Sequence, residues 1–511
     1  MRGKYLLPIF SVLTLTTVAC GSSGSSDSTT SESPDATLTT EVETTDASTP
    51  TSIDSGDVGS ISWDSCGDGL ECGTLDVPID YEDPSGASTS IYMVRHLALD
   101  PSNRIGTLLV NPGGPGFGGS WLAESAQQIY SSTLLDRFDI LGFDPRGTGK
   151  SVPAIDCTDD YDYFFAGGDV TPDTPDERQE IIDSTKEFTD ECFAKSGDIL
   201  PYVGTNNVAR DMDRIRQALG EEKISYFGFS YGSELGATWT TLFPDTVRAA
   251  VLDGAADPNA DSIEGVLQQN RGFESALDTF LAQCAENTSC AFHNGGNAAG
   301  AFDALMNKLD ENPIPTITGR PDLTRGMAIT GVIQAMYDDA YWPELEQALA
   351  DAANGDGNGL LSLFDEYFQR QPDGTYTNDL EAFLNILCAD DPTRMTIEEA
   401  DQYVPQYNEA GPRLSPGTTG DYTCTFWPAA LDPRIDITGA GAGPILVIGT
   451  TGDPATPLDS TRKMAAALED GRLVVATANQ HIGYNTSLCV NDAVDTYLVD
   501  LVAPDEELTC E

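Results

Sequence analysis

The sequence predicts an α/β fold, a mostly parallel central sheet with an inserted helical cap. Three observations carry that expectation. Short apolar runs end in turns rich in Gly, Pro and Asp; helical patterns separate these runs; and from residue 258 to 436 the alternation gives way to helical segments alone. Runs that are apolar without alternation suit strands buried on both faces, as parallel strands between helices are.

Taken in order, residues 104–110 form a strand ending in Asn111-Pro112-Gly113-Gly114-Pro115-Gly116, and 138–143 a strand ending in Asp144-Pro145-Arg146-Gly147-Thr148-Gly149. Residues 207–219 repeat apolar positions at i, i+4 and read as a helix. They lead to a strand at 223–229, a helix at 233–242 and a strand at 247–253. Segments 264–286, 301–309 and 360–369 are helices of the cap, separated by Gly, Pro and Asn. Two last strands follow: 444–448 before Thr450-Thr451-Gly452-Asp453, and 472–476 before Ala478-Asn479-Gln480-His481. Right-handed crossovers between parallel strands gather the intervening loops at the strands' carboxyl ends, where function is expected. No internal repeat of fixed period is visible. The division is therefore 1–20 signal peptide, 21–60 linker, 61–257 first part of the core, 258–436 cap and 437–511 C-terminal part of the core.

The N-terminus reads Met1-Arg2-Gly3-Lys4, an apolar stretch over 5–15, then Thr16-Thr17-Val18-Ala19-Cys20. That is a bacterial export signal with Cys20 placed for lipid attachment, so an extracytoplasmic, lipid-anchored protein is expected, with release or plain secretion as the other outcome. Residues 21–60 are Ser, Thr, Asp, Glu and Gly with almost no large apolar side chain, a tether that spans on the order of 35 Å as a flexible coil. The chain has 511 residues and 40% hydrophobic composition, sufficient for a sizeable core.

With 82 acidic against 26 basic residues the net charge is −56, which opposes nucleic acid, anionic membrane surfaces and polyanionic ligands. The acids are spread along the whole chain, as on a solvated surface suited to salt; attraction of cationic substrates is the alternative. Of 11 cysteines, setting Cys20 aside leaves an even ten, hence five disulfides in an oxidising compartment. Neighbour pairing (Cys66–Cys72, Cys284–Cys290, Cys489–Cys510) would staple loops, although about 945 connectivities are possible by the same counting. No Cys-x-x-Cys occurs, and Cys290 with His293 is the sole tight Cys/His pair, so no metal is expected; nor is any cofactor.

Gly228-Phe229-Ser230-Tyr231-Gly232 lies between a strand and a helix, the context in which a sharp turn pushes a serine hydroxyl outward as a nucleophile. A serine needs a base, and the chain has three histidines. His96 sits in an alternating run and His293 in a cap loop, where strand and surface roles respectively suffice. His481 follows the last strand, and with Asp453 after the preceding one completes the order Ser, Asp, His. Thr456 is placed to donate a hydroxyl hydrogen bond to Asp453, while Asp459 and Asp470 read as solvated. The oxyanion donors are Tyr231 N–H and one from the loop 111–116. Pro112 and Pro115 have no N–H, so Gly113 or Gly114 remains, with Gly114 preferred.

The blocks Asn111–Gly116, Asp144–Gly149, Gly228–Gly232 and Gly452-Asp453-Pro454-Ala455-Thr456-Pro457, together with His481, resemble the tripeptidyl aminopeptidase and proline iminopeptidase-like α/β hydrolases from residue 63 onward. With its lipoprotein signal the chain is similar to the carboxylesterase A-type cell-envelope serine peptidases of mycobacteria and their actinobacterial relatives. The resemblance implies an α/β-hydrolase fold and an aminopeptidase that releases amino acids or short peptides from free N-termini through an acyl-enzyme. Ser233-Glu234 stands where that family commonly carries Thr-Tyr. A carboxylesterase acting on short acyl esters is the alternative function, and a non-catalytic binding lipoprotein the third.

Overall fold

The computed structural model describes residues 59–166, 171–415 and 419–511. The signal segment, Cys20 and the linker up to residue 58 lie outside the described residues. Ten strands form one sheet: β1 (Asp64–Gly67), β2 (Leu70–Pro78), β3 (Ser88–His96), β4 (Gly106–Asn111), β5 (Phe138–Phe143), β6 (Ile224–Phe229), β7 (Val247–Asp253), β8 (Ile445–Thr450), β9 (Gly471–Ala476) and β10 (Leu508–Cys510). Their order is β1-β2-β3-β5-β4-β6-β7-β8-β9-β10. From β5 to β10 every pairing is parallel, while β1, β2 and β3 add an antiparallel edge.

Burial explains the sequence pattern. Every residue of β5, β6 and β8 is buried, because helices cover both faces of the sheet there. In β2, by contrast, buried and exposed residues alternate from Gly73 to Val77, as one wetted face requires. The helix Thr205–Leu219 closes at Gly220 in the left-handed conformation (φ 72°), a turn that glycine adopts without the clash a Cβ would introduce.

Between β7 and β8 the chain leaves the sheet and forms helices, beginning with Ser262–Glu286, whose first turn is capped by Asp261 (2.8 Å to Glu264 N). A further helix, Pro175–Ser196, was not legible in the sequence: in its 22 residues only Ile181, Thr189, Cys192 and Ser196 are buried, too sparse a stripe to give a period. Its Thr174/Glu177 capping box was the available signal. This helix joins the inserted layer, with Phe193 edge-on to Trp427 (4.9 Å between centroids) and Cys192 bonded to Cys157 beside Ile386 and Cys388.

The five disulfides are Cys66–Cys72, Cys157–Cys192, Cys284–Cys290, Cys388–Cys424 and Cys489–Cys510. The last ties β10 to the helix Leu488–Asp500. Among the described residues no helix is long and apolar enough to cross a membrane.

Candidate active site

The carboxyl ends of β4, β6, β7, β8 and β9 meet at one edge of the sheet, and each contributes to a single cluster. At the end of β6, Ser230 has φ 55° and ψ −126°, a strained backbone for a residue with a side chain, held where the helix Tyr231–Leu242 begins. The helix starts two residues earlier than expected because this strained serine forms its N-terminal boundary. Ser230 N–H donates to the Asp253 carbonyl (2.8 Å). The Ser233 hydroxyl donates to the Ser230 carbonyl (2.5 Å), and Glu234 pairs with Arg434 (3.0 Å).

After β8, Asp453 is buried and accepts hydrogen bonds from Ala455 N (3.0 Å), Thr456 N (2.8 Å) and the Thr456 hydroxyl (3.0 Å). His481 Nδ1 lies 2.8 Å from both carboxylate oxygens. That contact fixes which imidazole nitrogen faces the acid. The other nitrogen, Nε2, is buried and has no hydrogen-bond partner among the described residues, so it is the atom free to take a proton. It makes no hydrogen bond to Ser230.

The dipeptide Asp253-Gly254 touches both Ser230 and His481. The first residue holds Ser230 through its carbonyl, and a Cβ built on the second would sit 2.9 Å from His481 Cε1. Asp253 also has a role that the sequence did not reveal. Its fully buried carboxylate accepts Gly483 N–H and Tyr484 N–H, each at 2.7 Å, and so grips the segment just after His481. Burial pushes its pKa up to about 7, with the two N–H bonds and His481 pulling against that shift. The one signal was a carboxylate ending a strand that is apolar from Ala249 to Leu252.

The loop after β4 packs on the serine: a Cβ at Gly113 would fall 3.0 Å from Ser230 Cβ and 3.2 Å from Tyr231 N. Gly113 N–H donates to the Asn111 side chain (2.9 Å) and is thereby engaged within the loop. The Tyr231 hydroxyl is 2.5 Å from Thr205 Oγ1, which donates to Asp390 (2.6 Å), so the residue following the serine is tied to the helix Asp379–Asp390 of the insert. Burial drives the Asp390 carboxyl up to about 7 and the Tyr231 phenol well above its usual range.

The remaining candidates lie elsewhere. His96 is buried in β3 with Nε2 3.2 Å from Gln127, its pKa lowered by burial. His293 is half-buried rather than a surface residue, Nδ1 3.0 Å from the Cys284 carbonyl. Asp459 is exposed and Asp470 bonds Arg472 (2.5 Å). Among the described residues no group of three or more His, Cys, Asp or Glu side chains is arranged to hold a metal ion.

The site is closed over, with Ser230 5% and His481 3% exposed. A cavity of about 440 Å³ beneath the insert, lined by Gln268, Trp342, Gly452 and Asp453 among others, reaches the acid but not the serine.

Residues 106–320 match the alpha/beta hydrolase fold family and residues 415–510 the TAP-like protein family. The chain is 36% identical to serine protease Hip1 of Mycobacterium tuberculosis, the match covering 86% of this chain and 87% of that protein. It is also 36% identical to carboxylesterase B of the same organism (88% and 89% covered), and 29% identical to the tripeptidyl aminopeptidase of Streptomyces lividans (88% and 86%). With its mostly parallel sheet and these relatives, the chain belongs to the α/β-hydrolase family, in its TAP-like branch, and is a serine hydrolase.

Proposed function

We propose that this serine hydrolase is an aminopeptidase that releases amino acids or short peptides from free N-termini through an acyl-enzyme, with Ser230 as nucleophile, His481 as base and Asp453 as the acid that orients it. The observation that carries this reading is the buried contact of His481 Nδ1 with both Asp453 oxygens at 2.8 Å, with Nε2 left unpaired on a ring packed against the dipeptide that holds Ser230. His481 Nε2 takes the Ser230 proton as Oγ attacks the carbonyl, and Gly114 and Tyr231 N–H groups hold the oxyanion. The protonated imidazole then gives its proton to the leaving amine, and water, activated by the same nitrogen, releases the acyl group. Thr456 holds the Asp453 carboxylate in place by its hydroxyl.

The relatives named serine protease and tripeptidyl aminopeptidase support peptides as substrates, and a serine only 5% exposed beneath a helical insert suits chain ends better than folded chains. The relative named carboxylesterase B supports a second reading, short acyl esters. For location, the export signal and Cys20 support a lipid-anchored protein of the bacterial cell envelope, its catalytic part held off the membrane by the linker. The test compares wild type with Ser230→Ala on matched free and N-blocked peptide amides and esters. An aminopeptidase loses activity when the amine is blocked, and an esterase keeps it; activity that survives in Ser230→Ala refutes the assignment of the nucleophile.

A further inference from the structure

The segment that carries His481 is gripped from two sides, and only one of them belongs to the sheet. On the core side, Asp253 holds Gly483 and Tyr484 by their N–H groups. On the other side stands the end of an insert helix, Arg325–Met336. Tyr337, the next residue, accepts the backbone N–H of His481 on its carbonyl at 2.7 Å. Asp338 and Gln480 form an isolated antiparallel bridge. The Tyr337 ring lies edge-on to the His481 imidazole (5.7 Å between centroids, planes at 66°), and is itself edge-on to Phe273 of the insert helix Ser262–Glu286 at 5.2 Å. At 5% exposure the tyrosine has no room to swing away while the insert stays docked.

An imidazole held by one nitrogen can still rock about its Cβ–Cγ bond. Asp453 fixes Nδ1, and Gly254 leaves no space at Cε1. The further aromatic neighbour of the ring comes from Tyr337, outside the sheet that supplies the acid and the serine.

We propose that Tyr337 is a positioning residue for His481: the insert completes the base by docking this tyrosine on the imidazole, as well as covering the substrate. The inference rests on His481 being the base. It follows that an insert displaced far enough to uncover Ser230 also withdraws Tyr337, so that the base is aligned when the site is closed.

The test uses Tyr337→Phe, Tyr337→Leu and Tyr337→Ala in the full-length protein, with far-UV and near-UV circular dichroism to establish the fold. Each is assayed on a small chromogenic ester and a peptide amide, and for the rate of inactivation by a fluorophosphonate. A positioning role predicts that Tyr337→Phe stays within about twofold of wild type. The leucine and alanine variants lose about 10²-fold in kcat, the scale for a base misplaced by about an ångström, with little change in KM. The loss is of similar size for ester, amide and fluorophosphonate, since all three need the base. A folded Tyr337→Leu with wild-type kcat overturns the proposal, as does a loss confined to the KM of the peptide, which marks a wall of the substrate pocket. Labelling of wild type at Ser230, and its loss in His481→Ala, separates the two claims. If that labelling depends on His481 and the leucine and alanine variants behave as wild type, only the inference fails; if it does not, both fail.

Discussion

Replacing Gly254 by alanine should disable the enzyme while leaving it folded, and the size of the effect follows from the packing around one carbon atom. The added Cβ would lie 2.9 Å from His481 Cε1, 3.1 Å from Ile482 Cγ2 and 3.3 Å from Thr456 Oγ1. Carbon atoms rest at about 3.5–4.0 Å, so the ring or the backbone must give by roughly 0.6 Å or more. The backbone is poorly placed to give, because Gly254 N–H bonds the Ile448 carbonyl at 2.9 Å and the preceding carbonyl holds Ser230. The imidazole is therefore the part that moves. A displacement approaching 1 Å costs about 10²-fold in rate, or about 2.7 kcal/mol at the transition state. Independently, φ of 69° imposes about 1–2 kcal/mol on any residue with a Cβ. Steady-state kinetics on an ester and a peptide amide should show kcat down by one to two orders with KM little changed, and thermal unfolding should show a drop of a few degrees. A variant that loses the stability but keeps kcat within twofold would refute the idea that Gly254 is kept small for the sake of the base.

Other outcomes are expected from the same geometry. Asp453→Asn should keep the fold and lower kcat by about 10⁴, since an amide cannot enforce the same tautomer on both oxygens of the contact; a loss under tenfold would point to a different acid. Asp253→Ala should leave two buried N–H groups unsatisfied, costing about 1–3 kcal/mol each, and should lower both the melting temperature and kcat; wild-type kcat in the folded variant would show that its grip on Gly483 and Tyr484 does not reach His481. Stability should also depend on pH in a direction unusual for carboxylates. Asp253, Glu381 and Asp390 are each raised to about 7, chiefly by burial. Each stays protonated in the fold after its unfolded counterpart has ionised near pH ~4, so its contribution is complete below that and is lost as pH rises through about 7. Asp379 is raised to about 7 in the same way, while His96, lowered by burial, pulls in the other direction. At fixed ionic strength the melting temperature at pH 5.5 should therefore exceed that at pH 8, and the reverse order measured by calorimetry would rule this out.

What could be read from the sequence divides along a physical line. Residues 138–143 and 247–253 were legible as strands to the residue, because each is a mostly apolar run buried almost throughout between helices. Ser230, Asp453, Thr456 and His481 were legible as candidates because turns at strand ends restrict which residues can stand there, and the structure brings Asp453, Thr456 and His481 into one hydrogen-bonded set. Asp253 was not, because its partners are backbone N–H groups some 230 residues away, and a backbone donor leaves no mark on the sequence. Tyr337 escaped for the same reason: its carbonyl would accept from His481 whatever its side chain were, and its ring reads as one more buried aromatic at the end of a helix. The helix Pro175–Ser196 escaped because the insert covers it on too narrow a stripe. Side chains that react are chosen by type and can be recognised by type. The contacts that aim them are made by backbone atoms and by an insert whose docking depends on tertiary packing, so they become visible when the chain is folded.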